Sequence, residues 1–199
     1  DWTRSFGKHD LGALVGYEAI RNWGFNTDMA KQGAADASLT DLSTYTELSN
    51  ITGTTWENTS RSFFGRLTYA YKSRYLFEVN ARYDGSSRFA PESRWGFFPS
   101  FSGGWRVSEE SFMQGSPFDN LKIRLSWGKL GNNSIGDYEW QATYSGSNYI
   151  FGDKLTSGLA QTVIANQKLR WESVTQTNIG LDFAILNNRL VGEFDIYNK

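Results

Sequence analysis

His9, the only histidine in the chain, stands beside Asp10, which is how a general base and the carboxylate that orients it are sometimes arranged. No nucleophile accompanies the pair, and a solvated histidine in a turn accounts for it equally well. The G-x-S-x-G elbow, the Walker loop and the H-E-x-x-H helix are all missing from the sequence. Asn80, Arg82, Asp84 and Gly85 fall at the spacing of a calcium loop, but Arg82 would put a cation inside the cage. With no cysteine and one histidine, thiol catalysis, thiolate zinc and multi-histidine metal sites are excluded. We therefore expect no catalytic residue, no metal ligands and no cofactor. What remains is chemistry of binding. Arg88 and Phe89, at the end of Asp84–Phe89, could pair with a ligand and stack on it. The same string reads as a structural turn, in which Asp84 caps backbone amides, Gly85 takes a positive φ and Arg88 ties to a neighbouring acid; this is the reading we prefer. Trp23 and Phe25, and Tyr149 with Phe151, offer aromatic faces suited to sugar rings, with Asn and Asp nearby, although packing within the loops would use them as well.

These side chains must be held by strands, because the period of the apolar pattern is two almost everywhere. Tyr75, Phe77, Val79, Ala81 and Tyr83 alternate with Leu76, Glu78, Asn80, Arg82 and Asp84. The preceding run, Phe63 to Tyr71, alternates likewise and joins it through Lys72, Ser73 and Arg74, which predicts a hairpin. Leu11–Ala19, Phe97–Val107, Leu121–Trp127, Thr177–Phe183 and Leu190–Ile196 complete a set of about seven strands. Pro99 cannot donate to a ladder, so a bulge is expected there. The connections alternate long and short. That parity requires the weak alternation at Tyr138, Trp140, Ala142 and Tyr144 to be a hairpin inside one long connection, since Ser145–Gln167 offers no tight turn. Met29–Leu48, with Ala30, Ala34, Ala35 and Ala37, is read as a short loop helix without a function.

The fold class is thus all-β, and two solvents compete for the apolar face. A soluble or surface β-sandwich that binds carbohydrate would turn it to a core; a transmembrane barrel would turn it to lipid. About ten residues per strand, at roughly 3.3 Å each and tilted by about 40°, reach about 25 Å, the height of a barrel's apolar band. Tyr69, Tyr71, Tyr75 and Trp105 gather where strands end, as in an interfacial girdle, and the other face carries Arg66, Glu78, Arg82, Lys122, Arg124, Asp182, Glu193 and Asp195. A net charge of −1 with no basic block argues against a nucleic-acid partner.

Specific strings sharpen the choice: Gly65-Arg66-Leu67-Thr68-Tyr69, Arg82-Tyr83-Asp84-Gly85-Ser86-Ser87-Arg88-Phe89, Gly96-Phe97-Phe98-Pro99-Ser100 followed by Gly104-Trp105-Arg106, Leu121-Lys122-Ile123-Arg124, Gly131-Asn132-Asn133, Leu169-Arg170-Trp171-Glu172 and Thr177-Asn178-Ile179-Gly180-Leu181-Asp182. Together they resemble the barrel of SusC/RagA-family TonB-linked outer-membrane proteins of Bacteroidota. The resemblance implies an antiparallel segment of a large, plugged outer-membrane barrel in contact with outer-membrane lipid, with short periplasmic turns and long extracellular loops. It further implies a SusD-like lipoprotein as a lid, TonB as the periplasmic partner, and import of a glycan or peptide substrate without enzymatic chemistry. Residues 1–199 would be part of one barrel domain, with the plug domain, the TonB contact and the remaining strands outside this chain. On that view the loop aromatics Trp23, Phe25, Tyr149 and Phe151, with Arg88 and Phe89, are the candidate substrate contacts, and Trp23, Phe25, Tyr149 and Phe151 could equally meet the lid. Seven strands left open in lipid would expose two edges, so the segment is not expected to fold alone.

Overall fold

The computed structural model describes residues 1–34, 36 and 38–199. Eight strands form one antiparallel sheet, each hydrogen-bonded to the next: β1 (Trp2–Phe6), β2 (His9–Ala34), β3 (Tyr45–Tyr71), β4 (Tyr75–Ser86), β5 (Trp95–Arg106), β6 (Phe118–Asn132), then β9 (Glu172–Ile185) and β10 (Leu190–Asn198). Between β6 and β9 a separate two-stranded hairpin rises, β7 (Thr143–Phe151) and β8 (Lys154–Val163). Every strand predicted from the alternation is present. Trp2–Phe6 adds an eighth to the sheet; five residues were too short a window for the period to show.

The alternation becomes two faces because the register is unbroken where it matters. Leu67 pairs with Val79 and Val79 with Phe101, so one row crosses three strands, and Arg66 opposite Asn80 starts a row on the other face. The apolar row has no second layer. Leu67, Phe77, Phe101, Leu125 and Ile179 are all exposed, and among the described residues only Phe89, Ala90, Phe98, Val107 and Ala184 form a buried apolar core. The accessible surface is 14742 Å², where a compact protein of this mass would expose about 9,500 Å². A sandwich is thereby excluded, since its defining feature is that the two inner faces cover each other.

The short connections of the eight-stranded sheet lie at one end. Lys72 and Ser73 both take positive φ within the three-residue connection Lys72–Arg74, with the Arg74 amide donating to the Tyr71 carbonyl at 3.0 Å. Leu186, Asn187 and Asn188 do the same between β9 and β10, and Gly7 between β1 and β2. At the opposite end β2 and β3 run on as a hairpin of 26 and 27 residues. Pairing reaches Ala34 and Tyr45, which carries the hairpin roughly 40 Å past the row of Tyr17 and Phe63.

Several local expectations are corrected. Met29–Ala34 and Tyr45–Leu48 are strand, with a single 3₁₀ turn at Leu42–Thr44 between them, so the described part of Met29–Leu48 holds no α-helix; Ala35 and Ala37 of that expectation lie outside the described residues. Cross-strand pairing outweighs the helix propensity of alanine. The hairpin in the long connection exists but begins at Thr143, after Tyr138 and Trp140, and its tight turn falls at Gly152, φ +59°, within Ser145–Gln167 where none was expected. Pro99 makes no bulge. It pairs in register with Ala81, and the β5–β6 ladder begins one residue later, at Ser100 and Gly128, so the missing amide ends a ladder instead of distorting one.

Candidate functional site

The face opposite the apolar rows is a wall of ion pairs. Arg124 on β6 donates through Nε to Asp182 on β9, at 2.8 and 3.0 Å, and through Nη2 to Asp195 on β10 at 3.1 Å and to Glu193. Three acids converge there, and the cation they hold is the guanidinium. Arg66 donates to Asn80 at 2.8 Å and lies 3.9 Å from Glu78; Arg82 is 3.1 Å from Asp84 and 3.7 Å from Glu18. Each arginine spans neighbouring strands or positions, so the pairs tie the wall laterally while keeping its surface charged and wet. A recess of about 540 Å³ on this face is lined by Asp10, Glu78, Lys122, Arg124 and Asn178 among others.

At the end of the long connections the strands close around a small core. Phe89 has no exposed surface; its ring centroid is 5.2 Å from that of Trp171, which is also 5.2 Å from Phe98. The Phe98 ring fills the space a side chain on Gly131 would need, beyond the point where β5 and β6 stop pairing. The Trp171 indole N–H donates to the Arg94 carbonyl at 2.9 Å. Around this core runs a polar belt. Arg88 Nε donates to Asp137 at 2.9 Å, Asn58 donates to the other Asp137 oxygen at 3.1 Å, and the Tyr138 hydroxyl bridges the backbone of Glu57, donating to its carbonyl at 2.9 Å and accepting from its amide at 3.1 Å. The connection after β6 is thus tied down to both β3 and the β4–β5 loop.

The candidate contact residues separate accordingly. Arg88 is engaged with Asp137 and Phe89 is buried, so the structure puts both in the base of the loops. Gly85 and Asp84 do not play the turn roles expected of them. Gly85 has no positive φ; it lies within β4 beneath Trp95, whose ring a Cβ would meet at 2.8 Å, and Asp84 pairs with Arg82 in the wall. Trp23 and Phe25 are 70% and 64% exposed. They continue the row of Val15 and Tyr17, hence the outward side of the long hairpin, next to the Arg21–Glu57 pair at 2.9 Å. Hydrogen bonding from Arg21 holds the Glu57 carboxyl below its ordinary range. Tyr149 and Phe151 sit edge to face, 5.1 Å apart, both exposed on β7. The sequence reading missed Asp137, Tyr138 and Asn58 as partners; the strings around Asn133 and Trp171 were visible, but nothing local says what they face.

The tight-turn end carries an aromatic row: Tyr71 stacks on Tyr75 and Tyr69 on Phe77, both at 6.3 Å. His9 belongs to it, accepting or donating at 2.8 Å with the Tyr69 hydroxyl and stacking on Phe6 at 5.3 Å, so it is a ring in a girdle, not a solvated turn residue. Glu110, in the connection after β5, gathers the Tyr75 hydroxyl at 2.6 Å, the Trp105 indole at 3.2 Å and Arg74 at 3.2 Å. Those bonds, the tyrosine's foremost, hold its carboxyl below the usual range. A second aromatic row, absent from the sequence reading, lies farther up the same face: Tyr83 stacks on Trp95 at 4.8 Å, and Tyr17 meets Phe63 at 5.0 Å with the rings tilted by 44°. Two aromatic rows bordering an exposed oily band are the mark of a wall that crosses a bilayer. No helix among the described residues is long and apolar enough to cross one, so the crossing is made by strands.

Comparison with known proteins agrees. The chain is 37% identical to the TonB-dependent receptor SusC of Bacteroides thetaiotaomicron over 98% of this chain and 20% of that protein, and 35% identical to the TonB-dependent receptor P3 of Formosa agariphila over the same shares. It superimposes on the solved structure of the RagAB peptide transporter with a TM-score of 0.86 at 32% identity, covering 98% of this chain and 22% of that one. The chain thus spans about a fifth of the length of the relatives it matches. Residues 1–199 match the family described as TonB dependent receptor-like, beta-barrel, and the chain belongs to that family, as a stretch of outer-membrane barrel wall of the SusC/RagA type.

Proposed function

We propose that this wall serves an importer of nutrient oligomers, glycan or peptide, in which strands outside this chain complete the barrel and a plug fills it. The observation that carries the reading is the division between the two faces: a bare apolar side bordered by aromatic rows, and a side lined by paired charges that is stable only against water. Such a wall bounds an aqueous passage. The reading is supported by the family of TonB-dependent receptors and by the likeness to the RagAB peptide transporter. TonB would act from the side of the tight turns and a SusD-like lipoprotein from the side of the long connections. Tyr149 with Phe151, and Trp23 with Phe25, would make the contacts above the membrane, the first pair with substrate and the outward-facing second pair with the lid or its surroundings. Arg88 and Phe89 would act by holding the loop base in shape.

The test is made in the parent strain. Deleting the gene should abolish growth on one class of oligomer, glycan or peptide, as sole source, and a lipoprotein should co-purify with the tagged receptor. Unchanged growth on every oligomer, with no lipoprotein recovered, would refute the importer. Replacing Tyr149 and Phe151 by Ala should weaken uptake at limiting substrate while leaving barrel assembly intact.

A further inference from the structure

Most arginines of this sheet are ion-paired, including Arg21 with Glu57 at 2.9 Å on the outward side of the long hairpin. On the passage side Arg66, Arg82 and Arg124 each have a carboxylate within 3.9 Å. Just above the second aromatic row, Arg61 on the outward side and Arg94 immediately before β5 have no carboxylate partner within 4 Å among the described residues, although Arg94 also borders the loop-base recess lined by Glu57 and Asp137. Arg61 pairs in register with Gly85, and Gly85 with Trp95, so the Arg61 row lies one step beyond the row of Phe63, Tyr83 and Phe97. It stands roughly 15 Å along the membrane normal from the row of Val79, against a half-thickness of about 12 Å for the apolar band, which puts it at the headgroups. A recess of about 340 Å³ opens there, lined by Thr59, Arg61, Gly85, Ser87, Arg94 and Trp95.

Its chemistry is that of an anion site. Arg94 Nε is buried without a hydrogen-bond partner, and an unsatisfied guanidinium donor is costly. The Ser87 hydroxyl accepts from the Thr59 amide at 2.8 Å and keeps its own proton to donate. The Trp95 ring, laid flat across Gly85 and stacked on Tyr83, makes an apolar floor on the bilayer side. On the other flank of Trp95, Lys129 and Arg170 line a second recess with Phe97, again unpaired among the described residues, and its single acid, Glu92, is exposed at the rim. Two guanidiniums with hydroxyls above an aromatic floor match a phosphate that carries acyl chains below it.

We propose that the recess between Arg61, Arg94 and Trp95 binds the phosphate of an anionic lipid headgroup in the outer leaflet. The experiment uses the full-length receptor in mild detergent, incubated with lipid A, phosphatidylglycerol or phosphatidylcholine and examined by native mass spectrometry. The two anionic lipids should be retained over phosphatidylcholine. The Arg61 side chain makes no hydrogen bond among the described residues, so Arg61→Gln keeps the fold, checked by heat-modifiable migration; it should lower retention of the anionic lipids about tenfold, a change of about 1.4 kcal/mol. Arg61→Lys should restore most of it, and Arg66→Gln, on the passage side, should leave retention as in the wild type. Equal retention by the Arg61→Gln variant, equal retention of phosphatidylcholine, or complete displacement by millimolar inorganic phosphate, which would mark a site for the free ion, would each overturn the proposal.

Discussion

The mid-wall and the base of the long loops contain the same kinds of side chain and treat them in opposite ways. In the wall, Phe77, Val79, Phe101 and Leu125 are apolar and exposed; at the loop base Phe89, Ala90 and Phe98 are apolar and buried, closed over by Trp171 and sealed by Arg88 and Asp137. The difference is the solvent. Where acyl chains surround the strands, an oily row needs no protein partner, because lipid is as apolar as leucine. A short distance higher water returns, and the chain rebuilds a soluble-style core with a hydrogen-bonded rim. Charges are treated unevenly: in the wall Arg66, Arg82 and Arg124 meet acids, and above the outer aromatic row Arg21 meets Glu57 and Arg88 meets Asp137, while Arg61 and Arg94 have no carboxylate partner among the described residues.

The comparison can be broken most severely at the loop base. Phe89→Ala should cost about 3–5 kcal/mol, because a fully buried ring leaves a cavity, and hydrogen exchange in the full-length protein should rise across Ser86–Trp95 while the mid-wall amides stay protected. Equal protection in both regions would show that the base is not packed as described. Next in size, Val79→Arg should cost about 2–4 kcal/mol as a charge facing mid-bilayer lipid, whereas Asn80→Arg, one residue on and facing water, should be mild; folding titrations into lipid vesicles read the difference. Cysteines at both positions sharpen the result, since only the one at 79 should be quenched by a lipid-chain probe.

A smaller effect is expected at the rim. A double-mutant cycle on Arg88→Ala and Asp137→Ala should give a coupling of about 1 kcal/mol for this partly exposed pair, and an additive cycle would mean that the ion pair does not hold the loop after β6. The smallest effect is a pH dependence at the tight-turn end. The folded-state carboxyl of Glu110 titrates below its unfolded value, so its contribution to stability is complete above the ordinary glutamate range, about pH 4.3, and is lost as pH falls through the lowered folded value. Glu110→Gln should flatten the acid limb of a thermal unfolding profile measured against pH.

Much of the wall was legible in the sequence. Tyr75–Asp84 and Phe63–Tyr71 alternate so cleanly that strand, hairpin and facing follow without knowing any contact, and Lys72-Ser73-Arg74 marked its turn. The faults arose where a local rule met a long-range one. Alanines at Met29–Leu48 suggested a helix, yet the β2–β3 ladder extends to Ala34; Pro99 suggested a bulge, yet it ends a ladder; Gly85 suggested a positive φ, yet it makes room for Trp95. At the candidate site Arg88 was correctly read as seeking an acid, but Asp137 lies 49 residues away and no periodicity links them.

By itself, then, the sequence determined which side chains share a face, because in an extended chain that depends only on whether positions differ by an even number. Only the tertiary structure decided which acid answers each arginine, that Phe89 is sealed beneath Trp171, and that the guanidiniums above Trp95 are left without one. Those outcomes depend on which strands lie side by side and in what register, and that is settled by pairing between segments far apart in the chain, where no local pattern reaches.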